Sequence, residues 1–247
     1  MRALVTNDDG IDSPGLVALA RAAVAVGWEV LIAAPSTEAS GTGTSLASTA
    51  GRGPIRLERR ELDGFEGFAV PAHPGLISFL ACHGGFGERP DVVLSGVNLG
   101  ANVGTGILHS GTVGAALTAG VRGVSALAVS LDVKWNGAAP LWDKATEVAA
   151  VVLPTLAEMP ASTVLNLNVP NGAVNGLEWA DIAAVSPIQV RVERIDELEL
   201  KLSAFDAGVE LVEGTEVALL ARGCATLTPL RSVGRATSDL PSPVWPG

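Results

Sequence analysis

Two adjacent carboxylates, Asp8 and Asp9, follow directly on the short run Leu4-Val5-Thr6 and precede Gly10. Side by side at the end of a buried strand, two carboxylates repel one another and lose hydration, so both are costly as anions. A hard divalent cation relieves both costs, and a set of oxygen ligands suits Mg²⁺ or Mn²⁺. The competing reading of Asn7-Asp8-Asp9-Gly10 is a turn in which Asp and Gly merely supply loop geometry. Placement at a strand end favours the metal, and one divalent cation per subunit is the expectation.

Three further polar stretches have the composition of ligand loops. Ser95-Gly96-Val97-Asn98-Leu99-Gly100-Ala101-Asn102-Val103-Gly104 combines glycines, which let backbone amides approach an anion, with Asn98 and Asn102. Either asparagine can present a carbonyl oxygen to a cation or an amide to a phosphate. The stretch lacks both the GK[ST] of a P-loop and the GxGxxG of a dinucleotide site, and alone it reads equally well as an ordinary loop. His109-Ser110-Gly111-Thr112-Val113 opens a helical segment, where free amides and the helix dipole favour an anion, although a simple Ser or Thr cap is at least as common. Glu38-Ala39-Ser40-Gly41-Thr42-Gly43 offers Ser40 to a cation or phosphate, and by itself is only a flexible loop. His109 is a candidate general acid ahead of His73 and His83, but a hydrogen-bonding neighbour is the simpler role. No G-x-S-x-G nucleophile turn occurs.

These loops need a scaffold. Residues 2–6 read as a strand; Ser13 and Pro14 start a helix with Leu16, Leu19, Ala20, Ala23 and Val24 on one face, and Gly27 ends it. A strand over 30–34, a Ser/Thr/Gly loop over 35–49, short strands within 55–70, a helix over 74–82 and a strand over 92–94 follow. Next come a Gly/Asn loop over 95–111, a helix over 113–120, a strand over 126–131, a helix over 141–156 and a strand over 164–169. Such alternation predicts an α/β fold with a doubly wound, mostly parallel sheet, whose ligands bind beyond the carboxyl ends of the strands. The polar turns 7–13, 35–45 and 95–111 fall at those ends. From 185 onward the pattern changes. Leu198, Leu200 and Leu202 alternate with Glu197, Glu199 and Lys201, and 209–211 and 217–220 continue the β character. The expected division is a core over 1–184, a β-hairpin extension over 185–223, and a strand and tail over 224–247, loose from 238. The leucine face has little core of its own to cover, so a partner copy is expected, as a homodimer or homotetramer.

Composition narrows the function classes. Of 247 residues, 48% are hydrophobic and 17% charged, and no apolar run reaches the roughly 20 residues needed to span a bilayer. A strand begins at once without a signal-peptide pattern, so a soluble cytoplasmic protein with no membrane partner is expected. Net charge is −10, and the lysines are Lys134, Lys144 and Lys201, none in a Gly-rich loop. Polymeric nucleic acid is therefore not an expected partner, while a small anion held through a metal is. Cys82 and Cys224 lie far apart and read as buried free thiols.

Taken together, TNDDGIDSPG, the Ser40-Gly41 loop after AAP, LSGVNLGANVG, HSGTVGAAL, ALAVSL and LNLNVP resemble the signature blocks of the SurE family, in the family's order, from residue 1 to about 170. LTPL at 227–230 is a later anchor. The resemblance implies a Rossmann-like domain, a divalent cation, and hydrolysis of nucleoside 5′- and 3′-monophosphates. It also implies a C-terminal arm exchanged between subunits. By position it makes Asp8 and Asp9 the catalytic metal ligands, lets Ser40 and Asn98 complete the protein shell, and sets Ser110, Gly111 and Thr112, with Asn98, at the phosphate. Two departures stand out. The family's G-T-P-x-D-C block reads Ala72-His73-Pro74-Gly75-Leu76-Ile77, and 185–223 is acidic and free of tyrosine and tryptophan. The alternatives are a non-catalytic nucleotide-binding module and a receiver-like phosphoacceptor domain. The latter needs an acceptor Asp ending a central strand, whereas Asp91 begins one.

Overall fold

A computed structural model describes residues 1–133 and 138–232. The strands are β1 (Arg2–Thr6), β2 (Glu29–Pro35), β3 (Glu58–Leu62), β4 (Phe65–Val70), β5 (Val92–Leu99), β6 (Ser125–Asp132), β7 (Val164–Pro170), β8 (Leu177–Trp179), β9 (Ile188–Arg194), β10 (Leu200–Asp206) and β11 (Ala225–Leu230). The helices are α1 (Pro14–Ala25), α2 (Pro74–Cys82), α3 (Gly111–Val121), α4 (Trp142–Glu158) and α5 (Glu216–Ala221), with a 3-10 turn at Gly104–His109.

Nine strands form one sheet in the order β3-β4-β2-β1-β5-β6-β7-β11-β8. From β4 to β7 every pairing is parallel, and β3 and β11 join antiparallel. β1, β5, β6 and β7 are buried along nearly their whole length, as strands covered on both faces must be. One covering layer is α1 with α4, packing Leu16, Leu19 and Leu153 onto Leu94, Leu127 and Leu165. The opposite layer is α2 with α3, packing Ile77, Val113 and Ala116 onto Leu4 and Val93. Chain order runs outward from β1 to β2 and β4, then returns to β5 on the other side. The carboxyl ends of β1 and β5 therefore flank the switch point of a doubly wound sheet, where a crevice opens for a ligand.

The structure corrects the sequence reading in several places. Val24 is 48% exposed, so the buried face of α1 turns through Gly15 and Ala22 instead. β5 does not stop at 94 with a loop over 95–111. It continues to Leu99 through a register shift between Ser95 and Asn98, because Asn98 pairs with Ser130 of β6. Residues 216–221 are helix α5 rather than strand, since Thr215 accepts the Ala218 N–H at its start and Val217 to Leu220 bury against neighbours. Residues 209–211 form no strand. The β9–β10 hairpin stands as a separate two-stranded sheet. The tail from 238 lies outside the described residues. Cys82 and Cys224 are free and buried. No helix among the described residues is long and apolar enough to cross a membrane.

Candidate active site

The acidic turn is held from its own backbone outward. Asn7 is fully buried and closes the turn on itself: its Nδ2 donates to the Gly10 carbonyl at 2.9 Å and its Oδ1 accepts the Gly10 N–H at 3.2 Å. Gly10 has φ +98°, a left-handed conformation that a side chain would strain. The Ile11 N–H then bonds the Pro35 carbonyl at the end of β2. Asp8 and Asp9 are thus presented at the carboxyl end of β1, next to β5.

The two carboxylates have different surroundings. Asp8 is buried, and the hydroxyl of Thr112 donates to its Oδ1. Burial pushes its pKa above the ordinary carboxylate value. The Thr112 hydroxyl and the amides of Asp8 itself, Thr112 and Gly111 partly oppose that rise. Gly111 lies so close that a Cβ there would sit 2.8 Å from both Cβ and Oδ2 of Asp8. The first turn of α3 is therefore packed onto Asp8, and its positive end faces a negative charge. Asp9 is half-buried, and its Oδ2 is a buried oxygen without a hydrogen-bond partner. Its pKa is pushed up to about 6 by burial first and by the charge of Asp8 second, against the N–H of Leu99, with Glu38 adding further negative charge.

The 36–45 loop closes over this pair. Ala39 donates its N–H to the Asp8 carbonyl at 2.8 Å, Gly43 to the His109 carbonyl at 3.1 Å, and the Thr42 hydroxyl to the Ala39 carbonyl at 2.9 Å. Ser40 is exposed at the rim, and its hydroxyl donates to Glu38 Oε1 at 2.8 Å. Asn98 Nδ2 donates to the Gly100 carbonyl at 2.7 Å, which leaves its Oδ1 as the acceptor. Ser110 caps α3, its oxygen accepting the Val113 N–H at 3.1 Å, so its own hydrogen remains to be donated. His109 is exposed.

Two placements differ from expectation. The donors assigned to a phosphate, Thr112 and the Gly111 and Thr112 amides, are aimed at Asp8. Asn102 is foremost an anchor. Its N–H bonds Asn168 Oδ1, its Nδ2 bonds Ser130, and its carbonyl accepts from Asn166 and Asn168, all within 2.8–3.0 Å. The LNLNVP asparagines thereby fix the loop after Asn98. Asp91 accepts the Arg2 N–H at 2.7 Å at the amino ends of the strands, opposite the acidic pair, which removes the receiver-like arrangement. Glu38 and Thr42 enter the site without having been singled out; their proximity to Asp9 and Gly111 comes from how the loop folds back, which no local spacing encodes.

The residues fit a hard cation. Two carboxylates whose burial raises their pKa, one of them with an orphaned oxygen, lie next to Leu99, which follows Asn98, and near Glu38, which holds the Ser40 hydroxyl. Among the described residues no cluster of three or more His, Cys, Asp or Glu forms, so the ligand chemistry would be oxygen-rich and only doubly negative.

A family model described as survival protein SurE matches residues 3–189. A 5′-nucleotidase SurE from Methanopyrus kandleri is 37% identical over 97% of this chain and 94% of that protein. Another from Xanthomonas axonopodis pv. citri is 39% identical over 184 residues, 74% of this chain and 66% of that protein. The crystal structure of the SurE protein from Aquifex aeolicus superposes with a TM-score of 0.78 at 28% identity and covers 94% of each chain.

Proposed function

The chain belongs to the SurE family, and from that premise we propose that it is a cytoplasmic, divalent-metal-dependent phosphomonoesterase hydrolysing nucleoside 5′- and 3′-monophosphates to nucleoside and phosphate. The relatives that carry the name 5′-nucleotidase support the substrate class. The single observation that carries the reading is the buried, unpartnered Oδ2 of Asp9 beside the buried carboxylate of Asp8 at the switch point of the sheet. Phosphate release from AMP with and without Mn²⁺ tests it; no release, or release indifferent to a chelator, would sink it.

Asp8, Asp9, Asn98 and Ser40 would hold one Mg²⁺ or Mn²⁺. When bound, the cation would polarise a phosphoryl oxygen and neutralise charge developing in the transition state. The chain's own groups do the positioning. Thr112 and the α3 amides fix the orientation of Asp8. The Asp9 carboxylate would also accept a hydrogen bond from the attacking water and so aim it at phosphorus. The Ser110 hydroxyl donates to a phosphate oxygen, and the start of α3 at Gly111 and Thr112 borders the same group with its positive dipole end.

Asp8 and Asp9 are adjacent residues in a bend after β1, unlike an i, i+2 acid pair on one side of a strand end, so one attacking while the other protonates the leaving group is disfavoured. Direct attack by water is expected, with inversion at phosphorus. Turnover of a chiral thiophosphate ester reads this out, and net retention or a phosphoryl group trapped on Asp8 or Asp9 would overturn the route.

The raised pKa of Asp9 also sets a pH dependence. A cation must displace the proton of Asp9, so Mn²⁺ affinity should hold at neutral pH and weaken as pH falls through about 6. Calorimetric titrations at pH 5 and 7.5 decide it, and equal affinity at both would count against Asp9 as a ligand.

The β9–β10 hairpin supports assembly into a homodimer or homotetramer. Leu200 and Leu202 pair across from Arg194 and Val192 and are 62% and 68% exposed, with Val190 and Val192 beside them at 62% and 61%. An isolated hairpin is marginal in water, and a second copy would bury this face. Deleting all of 190–223 would remove α5 as well, so the fitting variant replaces only 189–205 by a short Gly/Ser link. Sedimentation should show it dissociated, and a native chain that sediments as a monomer at micromolar concentration would refute the assembly.

A further inference from the structure

A cleft of about 430 Å³ opens beside Asn98, within the roughly 300–1,000 Å³ of small-molecule sites. Asn98, Leu99 and Val103 form one wall, and Pro187, Ile188 and Asp206 line the other. Asn98 belongs to the candidate cation shell, and the Leu99 N–H faces the Asp9 carboxylate, so this cleft adjoins the candidate cation site. Two other clefts, of about 590 and 380 Å³, are lined by the β3–β4 edge and by α1, and include none of Asp8, Asp9 or Asn98. Among the described residues no lysine or arginine lines the cleft beside Asn98. Its apolar side chains suit the flat ring of a base, and Asp206 adds an acceptor for a sugar hydroxyl.

The two walls are fastened together by one buried side chain. Glu216, the first residue of α5, is fully buried. Its Oε1 accepts the Gly104 N–H and its Oε2 accepts the Ala183 N–H, each at 2.6 Å. Gly104 follows Val103 directly, and Ala183 precedes the segment that carries Pro187 and Ile188. The walls also touch at Gly104, where a Cβ would sit 2.8 Å from Ser186 N and from Val185 C and O. Val217 and Leu220 of α5 pack against Val103, Ala101 and Ala183 beneath the carboxylate. A buried carboxylate bonded to two backbone amides resists displacement, because either bond lost leaves a buried charge under-satisfied.

We propose that this cleft takes the nucleoside half of the substrate and that Glu216 is the positioning residue that sets its width. The identity of the occupant rests on the nucleotidase reading, whereas the cleft and its tie stand on geometry. Glu216→Gln keeps one carbonyl acceptor and turns an amide nitrogen toward the second N–H, so one tie is lost. Its KM for AMP should rise about tenfold, with kcat within about threefold and inhibition by inorganic phosphate within about twofold. A merely structural role would instead move all three together. Ile188→Trp, at a position 43% exposed, fills the cleft without touching the core and keeps the test open should the first variant fold poorly. It should raise the KM for AMP similarly and abolish the saturation-transfer NMR signal of adenosine, which the unaltered chain should show. An unchanged KM in Ile188→Trp with adenosine binding intact would overturn the proposal, as would parallel loss of kcat and phosphate inhibition in Glu216→Gln. A chain that binds adenosine in an Ile188-dependent way but hydrolyses no nucleotide would refute the nucleotidase reading and leave the cleft assignment standing.

Discussion

Asp9→Asn should lower Mn²⁺ affinity by more than about 100-fold, since even outer partners of a metal ligand are worth 10–100-fold, and turnover should fall with it. The same change should stabilise the metal-free fold. A rise in pKa from 3.8 to about 6 corresponds to at most ~3 kcal/mol, and to about 1–2 kcal/mol once solvent screening at this half-buried group is discounted. The folded chain keeps the proton of Asp9 to higher pH than the unfolded chain does. Metal-free protein therefore loses stability as pH climbs from near 3.8 through about 6, and Asp9→Asn abolishes that loss. Asp8→Asn should also lose the metal but gain no comparable stability. Burial disfavours the Asp8 charge as well, but the Thr112 hydroxyl and the Gly111 and Thr112 amides partly oppose it, and weakening those bonds to a neutral amide, about 1–2 kcal/mol, offsets most of the relief. Urea unfolding in chelator at pH 5 and pH 7.5 separates the two variants. Equal effects of both on the metal-free fold would refute the distinction, and unchanged Mn²⁺ affinity in either would refute its ligand role.

Gly114→Ala should be as damaging although it touches no ligand. A Cβ at Gly114 would lie 2.0 Å from the carbonyl oxygen of Gly43 and 2.3 Å from its carbon. Both sides of that contact are backbone, so no rotamer change can relieve it. The loop must lift from α3, breaking the Gly43 N–H bond to His109 and loosening the Ala39 tie to Asp8. Overpacking of this kind costs about 2–3 kcal/mol, which for a chain of this size lowers Tm by about 5–10 °C. Displacing Ser40 and Thr42 by an ångström should reduce kcat/KM about 100-fold. Gly172→Ala is the matched control, because a Cβ there meets nothing within 4 Å. If the two variants melt and turn over alike, the loop is not held by this close approach.

Much of the scaffold is legible in the chain. The central parallel strands β1, β5, β6 and β7 are mostly apolar and buried along nearly their whole length, and Pro14 and Pro74 open α1 and α2 at the first helical position that proline favours. These are local signals, set by side-chain polarity and backbone freedom over a few residues. Where long-range contacts compete with local preference, the reading failed. The polar stretch after 94 looks like a loop, yet Asn98 and Leu99 are strand because Ser130 and Leu131 of β6 supply partners. Val217 to Leu220 carries β-branched and leucine character, yet it is helical because Thr215 caps it and Glu216 finds two amides more than 30 residues away in sequence.

The candidate site divides along the same line. The sequence by itself determined that two carboxylates sit at the end of a buried strand, because the residue types and the apolar run before them are adjacent in the chain. Only the tertiary structure decided that they are unequal. Thr112, 104 residues away, donates to Asp8, while Asp9 keeps an unpartnered oxygen. That asymmetry follows from the strand order, which returns the chain to β5 beside β1 and swings the start of α3 over one carboxylate alone. Hydrogen-bond satisfaction at a buried charge depends on which groups arrive in space, and sequence spacing records nothing of that arrival.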